Sequence, residues 1–403
     1  MRFAFVSTMA GWSWGGSEEL WSRTAVQLKR AGHDVQATVV HRPRLSDKVR
    51  LLARQGIGIG TYPSYEVGPT RRIWNKLTLS YRRSYNRLKR FKPDLVVISQ
   101  GHNSGGLGWA RVCREASIPY VVIVQCNSEH WWFPDRAVEE AAELYTAARK
   151  VFCVSRSNLN LLRMQLGDPL QNAEVVWNPY NVSPENIPTW PLENGRWRLA
   201  CVARLDPAAK GQELLLEILA RPEWRARSVE LNLFGEGPHE LALRRLAGML
   251  QLDQVHFRGH VSDIKAIWEQ NHLLVLPSRY EGLPLALVEA VWCGRPAVVT
   301  DVAGSAEVCV DNETGFVAPA PTVSLLADTL ERAWERRKDW QRMGQAARAW
   351  AENQIPRDPI SVFADKLRSC VGPAGQPLTS ARPNWQPGNI TMSRDPGCAK
   401  GNK

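Results

Sequence analysis

Residues 271–300 read Asn271-His-Leu-Leu-Val-Leu-Pro-Ser-Arg-Tyr-Glu281-Gly-Leu-Pro-Leu-Ala-Leu-Val-Glu289-Ala-Val-Trp-Cys-Gly-Arg-Pro-Ala-Val-Val-Thr300. Leu273–Leu276 is a short apolar run closed by turn residues, the pattern of a strand buried on both faces. Pro284 suits the first turn of a helix, where a missing N–H costs nothing, so a helix is expected near 284–292. Ala297–Thr300 resumes as a strand. Strand, helix and strand in quick succession make a βαβ unit, which requires a parallel sheet.

The same alternation extends in both directions. Upstream in the second half, strands are expected at Arg198–Val202, Glu230–Phe234 and Val255–Phe257, with helices at 210–220, 238–249 and near 262–270. The first half carries its own set: Phe3–Val6, Val35–Val40, Leu95–Ile98, Tyr120–Val124 and Val151–Val154. Ser17 is the expected N-cap of the helix after the first strand. Residues 179–196 hold four prolines and no apolar period, as an interdomain linker would. The predicted fold is therefore α/β, two facing Rossmann-like domains with a ligand in the cleft between them. The expected boundaries are 1–180, a linker at 181–196, a second domain at 197–355 and a last helix at 356–371. A Gly/Pro/Ser-rich tail at 372–403 is expected to be disordered.

Composition agrees with a globular chain. Of 403 residues, 44% are hydrophobic and 23% charged, and no run of apolar residues is long enough to span a bilayer as a helix. The opening MRFAFVSTMAGW does not have the pattern of a secretory signal. Eight cysteines occur without a C-x-x-C pair, which argues against a zinc site or a disulfide framework and points to the cytoplasm. The net charge of +11 is concentrated: residues 41–92 hold fourteen Lys or Arg against Asp47 and Glu66. Arg71–Lys92 has nine basic residues, no acid, and the aromatics Trp74, Tyr81, Tyr85 and Phe91. Such a stretch suits an anionic membrane face first, a solvated helix face next and nucleic acid least.

Candidate chemistry gathers at strand ends. Glu281 falls in a strand-to-helix loop and Glu289 further along the helix, where two carboxylates can accept hydroxyls of one elongated ligand; a loop acid and a solvated helix acid would share that spacing. Arg204 follows a strand, and Lys210 precedes a helix. Two cations so placed can clamp a diphosphate, the Arg as a planar fork and the Lys as a point charge. Gly235-Glu236-Gly237 is another strand-to-helix turn. Gly15 and Gly16 allow close approach of backbone to ligand, but their spacing is not the G-x-G-x-x-G dinucleotide fingerprint. No Asp-x-Asp occurs anywhere in the chain.

These segments resemble family-4 glycosyltransferases of the GT-B fold, which are nucleotide-sugar-dependent and retaining. The resemblance runs to about residue 370 and rests on VARLDPAAKGQELLLEIL (202–219), LFGEGP (233–238), VHFRGHVSDI (255–264), the segment from Pro277 to Cys309, and NETGFVAP (312–319), with GGSEE (15–19) similar to the family's first glycine loop. It implies that Glu281 contacts the donor sugar, Glu289 the ribose, and Arg204 and Lys210 the diphosphate. The backbone of Gly282, Leu283 and Pro284 would flank phosphate and sugar. Gly259, His260 and Val261 would lie by the base, and Gly15 and Gly16 would face phosphate or acceptor. No metal or cofactor beyond the donor is implied.

One departure stands out. Many relatives carry a His where this chain has Cys126, and a thiol is a poor substitute for a neutral imidazole. His130 is the leading candidate to supply that group, with His102 next and Glu129 a weaker acceptor contact. Trp131 and Trp132 can stack on a sugar or simply pack. Glu307, after Ala303-Gly304-Ser305, can cap the next helix or approach the donor. The expected activity is transfer of a sugar to a glycan, glycolipid or other hydroxyl acceptor, in the cytoplasm and peripherally at the inner face of the membrane. The competing readings are a nucleotide-sugar epimerase on the same scaffold, which would need no acceptor, and a non-catalytic sugar-nucleotide or glycan-binding protein, which would not hydrolyse donor.

Overall fold

A computed structural model of the chain describes residues 1–9, 11, 14–63, 80–192 and 194–372. Among these, β1 (Arg2–Ser7), β2 (Asp34–Val40), β3 (Gly58–Tyr62), β4 (Leu95–Gln100), β5 (Tyr120–Val124), β6 (Lys150–Cys153) and β7 (Ala173–Val175) form one sheet in the order β3-β2-β1-β4-β5-β6-β7. A second sheet is built from β8 (Trp197–Val202), β9 (Val229–Phe234), β10 (Val255–Gly259), β11 (Leu273–Leu276), β12 (Ala297–Thr300) and β13 (Gly315–Ala318), ordered β10-β9-β8-β11-β12-β13. All pairings between these strands are parallel. The order reverses beside β1 in the first sheet and beside β8 in the second. Each reversal opens a crevice at the carboxyl ends of the strands.

Helices cover both faces of each sheet, which is why the central strands are continuous apolar runs. Phe5 pairs in register with Ala37 and Val97 on its two sides, and Leu199 with Leu231 and Leu273. The second domain's core is mostly aliphatic, and its largest fully buried side chains are the indoles Trp268, Trp292 and Trp340. The helix Pro359–Ser369 returns to the first sheet. Its Phe363 meets Phe152 edge-on at 5.1 Å, Lys366 Nζ lies 2.6 Å from Glu174 Oε2, and Gln27 Nε2 donates to Ser361 Oγ at 2.9 Å. Burying Phe363 and Leu367 stabilises this return by about 1.5–3 kcal/mol per side chain.

Several details differ from the sequence expectation. Strands β3, β7 and β13 had no sequence signal strong enough to read. Glycines interrupt β3, whose sequence is Gly-Ile-Gly-Thr-Tyr, and β7 is only three residues long. The helix expected over 210–220 is Gln212–Leu219, preceded by a separate short helix, Pro207–Lys210, with Gly211 at φ +65° dividing the two. A Cβ on Gly211 would stand 2.2 Å from Pro277 O, so the break lets this turn press on the end of β11. Ser17 is the first residue of the helix Ser17–Arg30, not its cap; Gly16 is the N-cap and has no side chain to offer.

The basic segment is also corrected in part. Ser80–Phe91 is a helix, but Tyr81 and Tyr85 pack inward with Tyr62 and Trp109, and Leu88 is fully buried. Arg87 donates to Ile59 O at 2.6 Å, and Ser84 to Thr61 O at 3.0 Å. These contacts hold the helix on β3. They turn its tyrosines toward the protein, while Arg82, Arg83, Lys89 and Arg90 remain exposed. Arg71, Arg72, Trp74 and Lys76 lie outside the described residues, as does the tail beyond Gly372.

Candidate functional site

The site is assembled from the strand-end loops of the second domain, pressed against those of the first. Arg204 follows β8, and its Nη2 donates to Asp206 Oδ2 at 2.9 Å. Its carbonyl accepts from Gln212 Nε2 at 2.7 Å, and Gln212 is completely buried. Lys210 ends the short helix Pro207–Lys210. Arg279 braces that helix from the facing loop, its N–H donating to Ala209 O at 2.8 Å and its Nη1 to Pro207 O at 2.7 Å.

Glu281 comes from the loop after β11. Its Oε1 receives Lys210 Nζ at 2.5 Å and Ser278 Oγ at 2.8 Å. Both partners of this ion pair are mostly covered, with 19% and 10% of their side chains exposed. The fold thus brings Lys210, from the segment after β8 that also carries Arg204, onto Glu281 from the loop after β11. Cys126, just past β5 of the first domain, belongs to the same cluster. Burial, then the Glu281 carboxylate, push its thiol up to about 12, with Lys210 and Arg204 opposing. Tyr280 is raised by burial and by Asp206 and Cys126.

Gly282 explains how the domains come so close. A Cβ there would stand 1.9 Å from Gln125 O and 2.8 Å from Val154 Cγ2. Only a glycine allows the loop to meet the end of β5 in this way. Leu283 and Pro284 follow, both buried, and Pro284 is the N-cap of the helix Leu285–Trp292 rather than its first residue. Across the cleft, Gly16 approaches Leu285, whose Cδ1 would lie 2.8 Å from an added Cβ. Gly15 O accepts from Glu18 N at 3.0 Å, opening the first domain's helix.

Glu289 sits four residues into the helix Leu285–Trp292, is 4% exposed, and carries a carboxyl pushed up to about 7. Burial is the cause, opposed by hydrogen bonds from Asn181 N and Asn181 Nδ2, both at 3.0 Å to Oε1. Asn181 belongs to the linker and was not singled out from the sequence. A lone Asn between Tyr180 and Val182 offers no local pattern to find. Glu18 is likewise pushed up to about 7 by burial, opposed by a 2.7 Å bond from Ser7 Oγ. Glu19 raises both carboxyls through space and accepts from Trp14 Nε1 at 2.7 Å.

The remaining candidates are more dispersed. Gly235 N donates to Gly259 O at 2.8 Å, joining the ends of β9 and β10, with His260 exposed and Val261 half-buried beside them. His102 faces Trp131 at 5.8 Å between ring centroids, and Trp131 faces Tyr280 at 5.1 Å. The three rings bridge from the end of β4 to the second domain. Trp132 is 59% exposed. His130 is exposed, and its backbone N–H donates to Ser128 Oγ at 3.3 Å. Glu307 does not cap the helix next to it, the role the sequence suggested: it caps one in the other domain, its oxygens accepting from Arg156 N and from Ser157 N and Oγ at 2.7–2.9 Å. Among the described residues, no group of three or more His, Cys, Asp or Glu converges on a common point, and no helix is long and apolar enough to cross a membrane.

Comparison with known proteins gives two adjoining matches. The description Glycosyltransferase Family 4 matches residues 14–183, and Glycosyl transferases group 1 matches residues 182–350. The chain is 34% identical over 143 residues to the alpha-D-kanosaminyltransferase of Streptomyces kanamyceticus, a match covering 35% of this chain and 37% of that protein. It is 30% identical over 181 residues to the GDP-mannose-dependent alpha-(1-6)-phosphatidylinositol monomannoside mannosyltransferase of Mycobacterium tuberculosis, covering 42% and 47%. The matches therefore span less than half the length of these relatives. In three dimensions the chain is similar to Anabaena HepE in complex with UDP, with a TM-score of 0.71 at 19% identity over 92% of this chain and all of that one. It is similar also to a lipopolysaccharide outer core galactosyltransferase, with a TM-score of 0.68 at 18% identity over 92% and 99%. At these identities the structural likeness speaks for the fold.

Proposed function

Since the chain belongs to the GT-B glycosyltransferases that join a family-4 module to a group-1 module, we propose that it moves a sugar from a nucleotide-diphosphate donor to a hydroxyl of a glycan or lipid-linked acceptor, with retention of anomeric configuration and without a metal ion. The observation that carries this reading is the Lys210–Glu281 pair at the carboxyl end of the second sheet, with Arg204 near enough that all three charges act on Cys126. Breaking a glycosyl–diphosphate bond leaves negative charge on the departing group. Fixed cations held in a partly buried loop stabilise that charge without reorganising at the moment of reaction. Arg204 and Lys210 supply two such cations, which is the support for metal independence.

Glu289, beside Asn181 of the linker, is suited to accept ribose hydroxyls. Glu281 is suited to accept hydroxyls of the donor sugar once Lys210 turns to phosphate. Retention is supported by the resemblance. For the imidazole absent at Cys126, His130 and His102 are the two candidates. The ring contact through Trp131 to Tyr280 favours His102. The exposed Arg82, Arg83, Lys89 and Arg90 support adsorption of the first domain to an anionic membrane face, held by charge alone.

The test is a thermal-shift panel with UDP, GDP and ADP, with and without EDTA, on wild type and Arg204→Ala. A ligand of the native state raises the midpoint by mass action. One nucleoside diphosphate should stabilise wild type in EDTA and lose its effect on the variant. Stabilisation by none of the three, or only with divalent metal, overturns the reading.

A further inference from the structure

The helix Arg156–Leu166 begins at the end of β6, in the first domain, and its N-cap and first three residues, Ser155 to Asn158, all reach the second domain. Ser155, the N-cap, would lie 2.8 Å from a Cβ on Gly304. Arg156 N donates to Glu307 Oε2 at 2.9 Å, and Ser157 N and Oγ donate to Glu307 Oε1 at 2.7 and 2.9 Å. Asn158 Nδ2 reaches Glu281 O at 3.5 Å. The N–H groups of a helix's first turn are strong donors to a carboxylate, and the helix dipole adds to the attraction. Here that carboxylate comes from another domain, about 150 residues away in sequence.

Glu307 is tied in turn to the donor loop. It lies in the short helix Ser305–Val308, directly after Gly304, whose N–H donates to Gly282 O at 3.0 Å. Ala303, just before, is held at φ +49°, a left-handed conformation that a non-glycine residue adopts only under constraint from its surroundings. The chain therefore runs from the first domain's helix, through Glu307, Gly304 and Gly282, to Glu281 without a gap.

We propose that Glu307 is an interdomain positioning residue. By clamping the first turn of the helix Arg156–Leu166, it seats the loop 278–284 against the end of β5, so the donor-side carboxylate and Cys126 share one site only while the clamp is closed. This rests on the glycosyltransferase reading for its catalytic consequence, but the clamp can be tested without it.

The experiment compares wild type with Glu307→Ala, Glu307→Gln and Arg156→Pro by small-angle scattering, by titration with UDP and GDP, and by turnover of nucleotide sugars. Arg156→Pro removes one donor while keeping the helix, because proline is favoured at the first helical position and Ser155 is already extended at φ −151° and ψ 160°. The expected result is a larger radius of gyration for Glu307→Ala and Arg156→Pro, with Glu307→Gln intermediate. Nucleotide affinity, set mainly within the second domain, should change by no more than about threefold. Turnover should fall through kcat, by about 100-fold for Glu307→Ala, as expected when a reacting group is displaced by an ångström or so. An unchanged radius of gyration overturns the clamp, whatever the substrate proves to be. A larger radius with unchanged kcat overturns the positioning role. If wild type turns over no nucleotide sugar, the glycosyltransferase reading falls and the scattering result still decides the clamp.

Discussion

Lys210 Nζ stands 2.5 Å from Glu281 Oε1, in an ion pair that is largely covered and shared with Ser278 Oγ. A diphosphate bound at Lys210 must compete with that carboxylate. Removing the lysine and removing the acid should therefore act in opposite directions on nucleotide binding. Lys210→Ala should weaken UDP or GDP by about 10- to 100-fold, the usual range for losing one charge-assisted contact. Glu281→Gln should bind the same nucleotide at least as tightly as wild type, yet lose transfer. Calorimetric titration alongside a transfer assay checks both, and weaker nucleotide binding by Glu281→Gln would contradict the arrangement.

Glu289 is raised by burial from an ordinary 4.5 to about 7, which has a consequence for stability. Between those values the folded chain holds a proton that the unfolded chain has released. The stabilisation is therefore complete below about 4.5 and is lost as the pH rises through about 7. A tenfold difference in proton affinity is worth about 1.4 kcal/mol, so the change across this window is a few kcal/mol. Glu289→Gln imitates the protonated acid and can still accept from Asn181. It should match wild type near pH 4.5 and exceed it near pH 8, as read from urea unfolding at the two pH values. Glu18, raised to about 7 in the same way, should behave alike on substitution by Gln.

The physical reason why so much of this protein was legible is that parallel sheets bury both strand faces. Leu273–Leu276, Ala297–Thr300 and Tyr120–Val124 announce themselves as apolar runs, and their alternation with helices leads directly to two Rossmann-like domains. Of the strands left unread, β3 is interrupted by glycine, β7 is only three residues long, and β13 opens on Gly315. Arg204, Lys210 and Glu281 stood out because cations and acids at strand ends are visible one loop at a time. Asn181 and the partner of Glu307 were not visible, because each acts across the domain boundary and neither side of such a contact marks the other in sequence. The tyrosines at 81 and 85 were misplaced for a related reason. An aromatic among arginines looks interfacial until the sheet beneath it is known.

Gly282 gives a sharp steric prediction. The nearest atoms to an added Cβ, Gln125 O at 1.9 Å and Val154 Cγ2 at 2.8 Å, belong to the first domain. Gly282→Ala should leave the second domain folded and able to bind nucleotide, while forcing the donor loop off the end of β5. Transfer should drop by about 100-fold or more. Loss of nucleotide binding together with activity would show instead that the second domain itself is damaged.

His102 and His130 can be separated by alanine substitution. The His102 ring lies in the row that runs through Trp131 to Tyr280, whereas His130 is exposed. His102→Ala should lower kcat for transfer by about 10- to 100-fold, within the range of a lost polar or acid–base contact. His130→Ala should stay within about threefold of wild type, as surface substitutions usually do. The reverse ranking would move the missing imidazole to the loop after Cys126. A Cys126→His variant adds a check, since it should offset part of the loss in His102→Ala.

Finally, the orientation of the helix Ser80–Phe91 makes the proposed membrane adsorption testable. Its tyrosines and Leu88 face the protein, so no apolar face is left to insert, and Arg82, Arg83, Lys89 and Arg90 face outward. Attachment by charge alone is worth about 1 kcal/mol per basic residue near an anionic surface and is screened by salt. Co-sedimentation with phosphatidylglycerol vesicles should therefore be strong at low ionic strength and largely lost at about 0.5 M salt, where the Debye length is only a few ångströms. Binding to neutral phosphatidylcholine vesicles should be negligible. The double substitution Arg82→Glu and Arg83→Glu should weaken attachment without lowering transfer to a water-soluble acceptor. Salt-resistant attachment would mean that an apolar segment outside the described residues inserts, and that the exposed arginines are secondary.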